Sequence, residues 1–277
     1  MLETLTELFA MEYTRGILLR VFAVGSAVSL CAALLGVNLV LKRYSMIGDG
    51  LSHVGFAAMA IAYALGAQPM YVALPIVAVA AFFLLRLQEN GKTKGDAAIA
   101  VISTSALAVG TVVIANSPSL SGELESSLFG NIYSVSASDV YLGVILSIFV
   151  AVLYLVFYRR IFAVTFDEQF ARATGVRVGL YNTLLALLTS VTVVVGMRLM
   201  GALLISALII FPSLTAMKLF KSFKGVAIAS AIISLCGFCT GNLVAAGLDL
   251  QPGACTVLVN LAIYLVFSAI SFVKSRA

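Results

Sequence analysis

The chain has 277 residues, of which 62% are hydrophobic and only 10% are charged, and its formal net charge is +5. Soluble globular domains carry about 25% charged residues, so this composition excludes that class and predicts an integral membrane protein. Apolar runs of about 20 residues recur without the alternation of a β-barrel, and that is the length at which a helix crosses hydrocarbon. We therefore predict an all-α, polytopic membrane bundle that forms a single domain over residues 1–277.

The first fifteen residues differ from the rest of the chain. They carry Glu3, Glu7 and Glu12, and they lack the basic start and apolar core of a cleavable signal peptide. We expect residues 1–15 to form a short amphipathic lead-in helix that lies at the outer surface.

Nine apolar segments then follow in chain order. They cover residues 16–41, 50–66, 70–87, 97–116, 140–157, 181–196, 200–219, 226–247 and 254–272. Only three residues separate the sixth segment from the seventh, so these two form either a tight hairpin or one broken segment. The bundle accordingly has eight or nine transmembrane helices.

Basic residues orient this bundle, because short cytoplasmic loops are enriched in Lys and Arg. Every second predicted connection is basic. The residues concerned are Lys42, Arg43, Arg86, Lys92, Lys94, Arg159, Arg160, Arg172, Arg177, Lys218, Lys221, Lys224, Lys274 and Arg276. A nine-span path with the N-terminus outside and the C-terminus in the cytoplasm explains this distribution. The positive charge thus reflects membrane orientation, and no pattern of aromatic and basic residues indicates nucleic-acid binding.

Asp49 and the single histidine, His53, form the one ionisable pair at the mouth of an otherwise apolar or small-residue segment. They are one helical turn apart, so both side chains project from the same face. A charge inside the membrane costs roughly 2.5 to 3.5 kcal/mol on insertion scales, which favours a functional role. A carboxylate and an imidazole in this arrangement supply half of a divalent-metal site. The alternative is a carboxylate that caps the helix and a histidine hydrogen-bonded between helices.

One chain cannot close such a site, because zinc prefers four ligands and manganese prefers six. A two-fold dimer would place two aspartates and two histidines around its axis. Four mixed oxygen and nitrogen ligands suit zinc in a tetrahedron, or manganese with added waters. An incomplete site also suits transport, since the ion must enter and then leave.

A second pattern lies in the connection after the fifth segment. The stretch from Phe166 to Arg177 begins with acidic residues and ends with Arg and Gly, which are helix start and stop signals. Phe166, Phe170 and Ala173 give the predicted helix an apolar face. It is either a docking element for a soluble motor or a surface helix that only joins spans. The chain has no G-x-x-x-x-G-K-[ST] phosphate loop, so an ATPase would have to be a separate polypeptide.

The outer connection, residues 117–139, is long enough for a short surface helix or a simple solvated loop. Cys236 and Cys239 have C-x-x-C spacing, but no second pair accompanies them. We interpret all four cysteines as small apolar core residues.

Several segments together resemble the permease subunits of bacterial ABC importers for zinc, manganese and iron. The resemblance runs in order through almost the whole chain. It is carried by residues 43–53, by Leu128-Phe129-Gly130, by residues 166–176, by Gly201-Ala202-Leu203-Leu204-Ile205 leading to Pro212, Thr215 and Ala216, and by Pro252-Gly253-Ala254.

This resemblance implies a fold like that of the vitamin B12 and siderophore importers, shortened by its first span, in the bacterial inner membrane. It also implies a second copy of the chain, two cytoplasmic ATP-binding subunits, and an external metal-binding lipoprotein or periplasmic protein. By similarity, Asp49 and His53 are the metal ligands in the channel, and the transported ion is zinc or, next, manganese. No cofactor is expected to be bound permanently.

By the same similarity, residues 160–180 hold the coupling helix that enters a groove on the ATPase. Its residues are Phe166, Asp167, Glu168, Phe170, Ala171, Arg172 and Gly175.

Two other classes of function stay open at this point. A gradient-coupled metal carrier or channel would be expected to show more buried carboxylates or an inverted repeat. An intramembrane enzyme needs a nucleophile with a base or a complete set of metal ligands. With one histidine and no H-E-x-x-H motif, the sequence disfavours an enzyme.

Overall fold

The computed structural model describes residues 12–89, 95–116, 137–248 and 250–276, together with residues 122, 128 and 130. These residues form ten helices and no strands. The helices are α1 (Glu12–Leu41), α2 (Ile47–Ala64), α3 (Pro69–Glu89), α4 (Gly95–Ala115), α5 (Ala137–Phe166), α6 (Glu168–Ala173), α7 (Val178–Met200), α8 (Ala202–Leu219), α9 (Phe223–Leu248) and α10 (Pro252–Arg276). The predicted all-α bundle is confirmed. Most of the predicted lead-in segment and of the outer connection lie outside the described residues.

Eight of the described helices are long and apolar enough to cross a membrane, and all but α2 and the short α6 belong to this set. The helix α2 occupies the second predicted segment, is 18 residues long and carries Asp49 and His53. The predicted count of eight to nine therefore agrees with eight candidate spans and α2 as a further helix of the bundle. The fifth segment was predicted too short: α5 continues past residue 157 to Phe166, so Arg159 and Arg160 lie within a helix.

The sixth and seventh predicted segments form a tight hairpin. A single residue, Gly201, separates α7 from α8, and its φ of 90° is a conformation that favours glycine. A Cβ atom added to Gly196 would lie 2.5 Å from Cδ1 of Ile205. Nine residues of continuous helix would span about 13.5 Å, so this contact requires the chain to reverse at Gly201.

The bundle has an inner group of helices and an outer group. α1 packs against α5, α7, α8 and α9, while α2 packs against α3, α4, α7 and α8. α10 contacts mainly α8 and α9, and its outer face carries exposed aliphatic residues such as Leu258 and Val266. Because lipid is as apolar as these side chains, exposure of this kind is expected of a membrane-spanning surface.

The two ends of the bundle differ in charge and in how the helices are joined. The basic end is where α1, α5 and α8 finish, and it carries Lys42, Arg172, Lys218, Lys221 and Lys224. The hairpin end is opposite, at Gly201. There the Arg198 guanidinium donates to the Tyr63 hydroxyl at 2.6 Å and lies 3.5 Å from Asp139 Oδ2, which joins α7 to α2 and α5.

Small residues allow α1, α8 and α9 to approach closely, as is common between membrane helices. The hydroxyls of Ser213 and Ser230 both donate to the carbonyl of Ala33, and that of Ser234 donates to the carbonyl of Ser29. A Cβ atom on Gly36 would lie only 2.1 Å from the carbonyl oxygen of Ile209. This contact is with backbone, which cannot move aside as a flexible side chain could.

Gly36→Ala should therefore force α1 and α8 apart. Overpacking of this kind destabilises by about 1–3 kcal/mol or more, so we expect the purified variant to lose monodispersity at a clearly lower temperature than the wild type. Gly179→Ala is the matched control, because a Cβ atom there meets nothing within 4 Å. Equal thermal stability of the Gly36→Ala variant and the wild type would contradict the described α1–α8 contact.

Candidate functional site

The side chains of Asp49 and His53 lie together near the start of α2, as predicted. His53 Nε2 is 3.6 Å from Asp49 Oδ2, and the two side chains are 23% and 44% exposed, respectively. This separation is beyond hydrogen-bonding distance, so the two groups are neighbours without a mutual hydrogen bond. His53 is six residues into α2, which places it about 9 Å inside the basic end.

The alternative interpretation of the pair finds no support in the described residues. Met46 is the N-cap of α2, and no side chain caps that position, so Asp49 does not cap the helix. The buried Nδ1 atom of His53 has no hydrogen-bond partner among the described residues. Nδ1 is therefore not held by a hydrogen bond between helices. A buried polar atom left unsatisfied costs about 1–3 kcal/mol.

Three glycines explain how α2 packs so closely around this pair. A Cβ atom on Gly48 would lie 2.9 Å from Ile209 in α8, and one on Gly50 would lie 2.8 Å from Ile99 in α4. One on Gly55 would lie 2.6 Å from Met197 in α7. Ser52 adds a 3.4 Å hydroxyl contact to Ser206 in α8. Neighbouring helices thus cover most of the surface of α2.

One face of α2 stays partly open. The residues of α2 that are not fully buried are Asp49, His53, Ile61, Tyr63 and Ala64. Asp49 and His53 are four residues apart and lie on the same side of the helix, whereas the next residue along that side, Ala57, is buried. The pair therefore occupies a short, partly open patch in the first two turns of α2.

Among the described residues, Asp49 and His53 are the two potential metal ligands at this place. Within the described ranges, no group of three or more His, Cys, Asp or Glu residues could hold a metal ion. All four cysteines are free thiols, and Cys31 and Cys255 are buried among apolar neighbours. The expectation that one chain presents an incomplete donor set agrees with this geometry.

The helix predicted after the fifth segment is present as α6, though it is shorter than predicted. Asp167 is its N-cap, and the carboxylate accepts a 2.9 Å hydrogen bond from the Phe170 amide. At the other end, Gly175 has a φ of 82°, and the amides of Gly175 and Val176 donate to the carbonyls of Arg172 and Ala171. These two bonds form a Schellman motif, so the predicted acidic start and glycine stop are confirmed.

A buried polar link holds α6 against the bundle. Lys42 Nζ, whose side chain is only 6% exposed, donates to Glu168 Oε1 at 2.7 Å and to Asn182 Oδ1 at 2.6 Å. Asn182 Nδ2 also donates to Glu168 Oε1 at 3.2 Å. This link joins the end of α1, the start of α6 and the start of α7.

The environment of Glu168 stabilises its charged form. Partial burial opposes ionisation, but the hydrogen bond and charge of Lys42 outweigh it, with help from Asn182 and Arg172. The pKa of Glu168 is therefore lowered.

Two exposed aromatic side chains lie around α6, one at the end of α5 and one on α6 itself. Phe166 and Phe170 are 63% and 65% exposed, whereas Ala171 is fully buried against the bundle. The predicted apolar face of Phe166, Phe170 and Ala173 therefore points away from the bundle, and Ala173 is exposed rather than packed. Arg172 is exposed on the same short helix.

From the sequence, Lys42 indicates only the orientation of the bundle. Lys42 and Glu168 are 126 residues apart, and no local pattern connects them. The one local signal is that Lys42 directly follows a long apolar helix and Glu168 is in the first turn of a short one.

Comparison with known proteins identifies the family. The ABC 3 transport family matches residues 14–271. This chain belongs to that family. Its relatives include the manganese transport system membrane protein MntC of Halalkalibacterium halodurans, which is 29% identical. That alignment covers 86% of this chain and 81% of the MntC chain. A "probable iron transport system membrane protein" of Haemophilus influenzae is 31% identical over 90% of this chain and 92% of its own.

A solved structure supports the same assignment. PsaBC from Streptococcus pneumoniae, in complex with Fab, aligns with a TM-score of 0.83 at 26% identity and covers 96% of this chain and 94% of its own. The chain is thus a multi-pass membrane permease subunit of a metal ABC importer. ATP hydrolysis belongs to a separate subunit, and a substrate-binding protein completes the system.

Glu168→Gln removes the charge that Lys42 contacts while keeping the shape of the side chain. Hydrogen bonds to charged groups contribute about 1.5–3 kcal/mol, so we expect a lower thermal midpoint at pH 7. The folded pKa of Glu168 lies below its unfolded value of about 4.3. The advantage of the wild type over the variant is therefore present above that pH and is lost as the pH falls through the folded pKa.

The measurement is the thermal midpoint of purified wild type and variant between pH 7 and pH 3.5. Gln169→Ala serves as the control, because Gln169 is exposed on the same helix. A constant difference across this range would contradict a charge-dependent link.

Proposed function

We propose that two copies of this chain form the membrane pathway of an importer for a divalent transition metal, and that Asp49 and His53 of each copy bind the ion in transit. The observation that supports this most is that Asp49 and His53 lie together on a partly open patch at the start of α2, a helix whose surface is otherwise mostly buried. A carboxylate and an imidazole that neighbouring helices leave uncovered can be completed by the same pair from a second copy.

The chemistry of the donors supports a transported metal. His53 presents an imidazole whose buried Nδ1 has no partner among the described residues, next to a half-exposed carboxylate. Imidazole and carboxylate accept zinc, manganese and iron(II). Donors divided between two chains can bind the ion and then release it, as transport requires.

For the ion itself, we favour manganese, although the ligand count from the sequence favours zinc. Asp49 is open enough to leave room for coordinated water, and carboxylate plus water suits manganese. The relative named above from Halalkalibacterium halodurans carries manganese in its name, and the one from Haemophilus influenzae carries iron. Zinc and iron(II) are therefore the competitors that a test must include.

The arrangement of the partners follows from the two ends of the bundle. The basic end carries the lysines and arginines expected of a cytoplasmic surface. We place the ATPase there, docked on α6, with the N-terminus and the external metal-binding protein on the hairpin side. The exposed Phe166 at the end of α5 and Phe170 of α6 provide the apolar anchors that a docking groove would enclose.

A gradient-coupled carrier without an ATPase has less support. Such carriers use carboxylates within the membrane. In the part of the chain that the structure describes, the buried polar residues are Ser, Thr and Asn, with no buried Asp or Glu.

Asp49→Ala and His53→Ala should each abolish metal uptake, because either change leaves each chain with a single donor. The measurement is uptake of manganese, zinc and iron(II), singly and in competition, into vesicles that contain the permease, its cognate ATPase and the binding protein. We expect strongest uptake of manganese, with assembly of the complex unchanged in both variants. Ile61→Ala, at a partly exposed position farther along α2, is the control and should transport normally.

Two results would overturn the proposal. Wild-type uptake by both ligand variants would refute the assigned donors. Uptake by the permease alone, driven by a proton gradient and independent of ATP, would favour the carrier instead.

Phe170→Ala should weaken binding of the ATPase by tenfold or more, since truncating a central aromatic anchor costs about 2 kcal/mol or more. Binding is measured with the purified permease and ATPase, and the stability of the permease alone should not change, because Phe170 is exposed. Phe149→Ala is a matched control: Phe149 is also exposed, but it lies in the membrane-spanning part of α5. Unchanged binding with Phe170→Ala would place the docking surface elsewhere.

A further inference from the structure

A deep apolar groove opens on the lipid-facing surface, away from Asp49, His53 and α6. It has a volume of about 470 Å³ and lies between α1, α5 and α9. Leu34 of α1 forms part of its floor, and Leu155 and Ile232 stand on its two walls. Both wall residues are more than half exposed, so the groove is open at the surface of the bundle.

The groove is a wedge that closes at the basic end. There the Phe223 ring of α9 lies 5.5 Å from the Tyr158 ring and 4.8 Å from the Phe162 ring of α5, centroid to centroid. These aromatic contacts bridge the two walls. Farther along, Ala227 and Ala231 of α9 leave space between the walls.

Positive charge lies only at this closed end. Lys224 lines the groove in the first turn of α9. Arg159 is exposed one helical turn beyond Leu155 on the opposite wall. Neither cation forms an ion pair with another residue in the described ranges, in contrast to Lys42. All other lining residues are aliphatic or tyrosine.

The length of the groove decides between possible occupants. From Lys224 to Leu235, the α9 wall covers eleven residues, which is about 16 Å at 1.5 Å per residue. The hydrocarbon core is about 30 Å thick, so one leaflet is about 15 Å deep. A transmembrane helix of a partner protein would need the full thickness, whereas one lipid chain needs half of it.

We infer that this groove binds an anionic phospholipid, with one acyl chain between α5 and α9 and its phosphate at Lys224 and Arg159. The ring contacts of Phe223 set the depth at which the head group lies. Ala227 and Ala231 of α9 provide room for the acyl chain. Lipid bound here would fill the gap between α5, which leads into α6, and α9. This assignment does not depend on which ion the permease carries.

The test is the number of phospholipids retained per protein after purification in mild detergent and exchange into an equimolar mixture of phosphatidylglycerol and phosphatidylcholine. The wild type should retain phosphatidylglycerol preferentially. Lys224→Gln should lower that preference about fivefold, since one cation near an anionic lipid contributes about 1 kcal/mol and 1.4 kcal/mol is tenfold. Lys221→Gln, at the same end but outside the groove, should leave it unchanged.

A second variant tests the chain-binding part without altering charge. Ala231→Phe fills the groove and should reduce retention of both lipids, while Val266→Phe on the exposed face of α10 should not. Equal retention of the two lipids by the wild type would overturn the proposed head-group contact. Unchanged retention in Ala231→Phe would show that the lipid does not bind in this groove. Co-purification of a protein bound in the groove would show that its occupant is a partner helix and not a lipid.

Discussion

The close packing of α2 against its neighbours is the constraint on which the rest of this structure depends. A helix that carries an aspartate and a histidine inside a membrane is stable only if the remaining surface is covered tightly. Glycines at 48, 50 and 55 make that possible, because α8, α4 and α7 each approach where a side chain would block them. In the first two turns of the helix, only Asp49 and His53 stay partly exposed.

A continuous set of polar contacts connects this helix to the proposed docking helix. Glu168 at the start of α6 bonds Lys42, and Lys42 is followed at once by the turn that leads into α2. That turn is itself hydrogen-bonded, since the Tyr44 amide donates to the Leu39 carbonyl and the Ile47 amide donates to the Tyr44 carbonyl. The contact between Lys42 and Glu168 thus ties α6 to the turn before α2, which begins two residues before Asp49.

Much of the fold could be predicted because the signals were local. Apolar length located the helices, the acidic start and glycine stop located α6, and the four-residue spacing placed Asp49 beside His53. The errors also have physical reasons. α5 runs nine residues past its predicted end because the helix continues beyond the apolar segment. Phe170 of α6 faces outward because the small Ala171 contacts the bundle instead.

The sequence by itself determined the class of protein and its eight to nine helices, and it placed Asp49 beside His53. Each of these depends on composition or on spacing within one helix. Tertiary structure alone decided that the chain reverses at Gly201, that Lys42 meets Glu168 and Asn182, and that Asp49 and His53 stay partly exposed where the rest of α2 is packed. These features join residues that are far apart in the chain or depend on how neighbouring helices pack, so no local pattern encodes them.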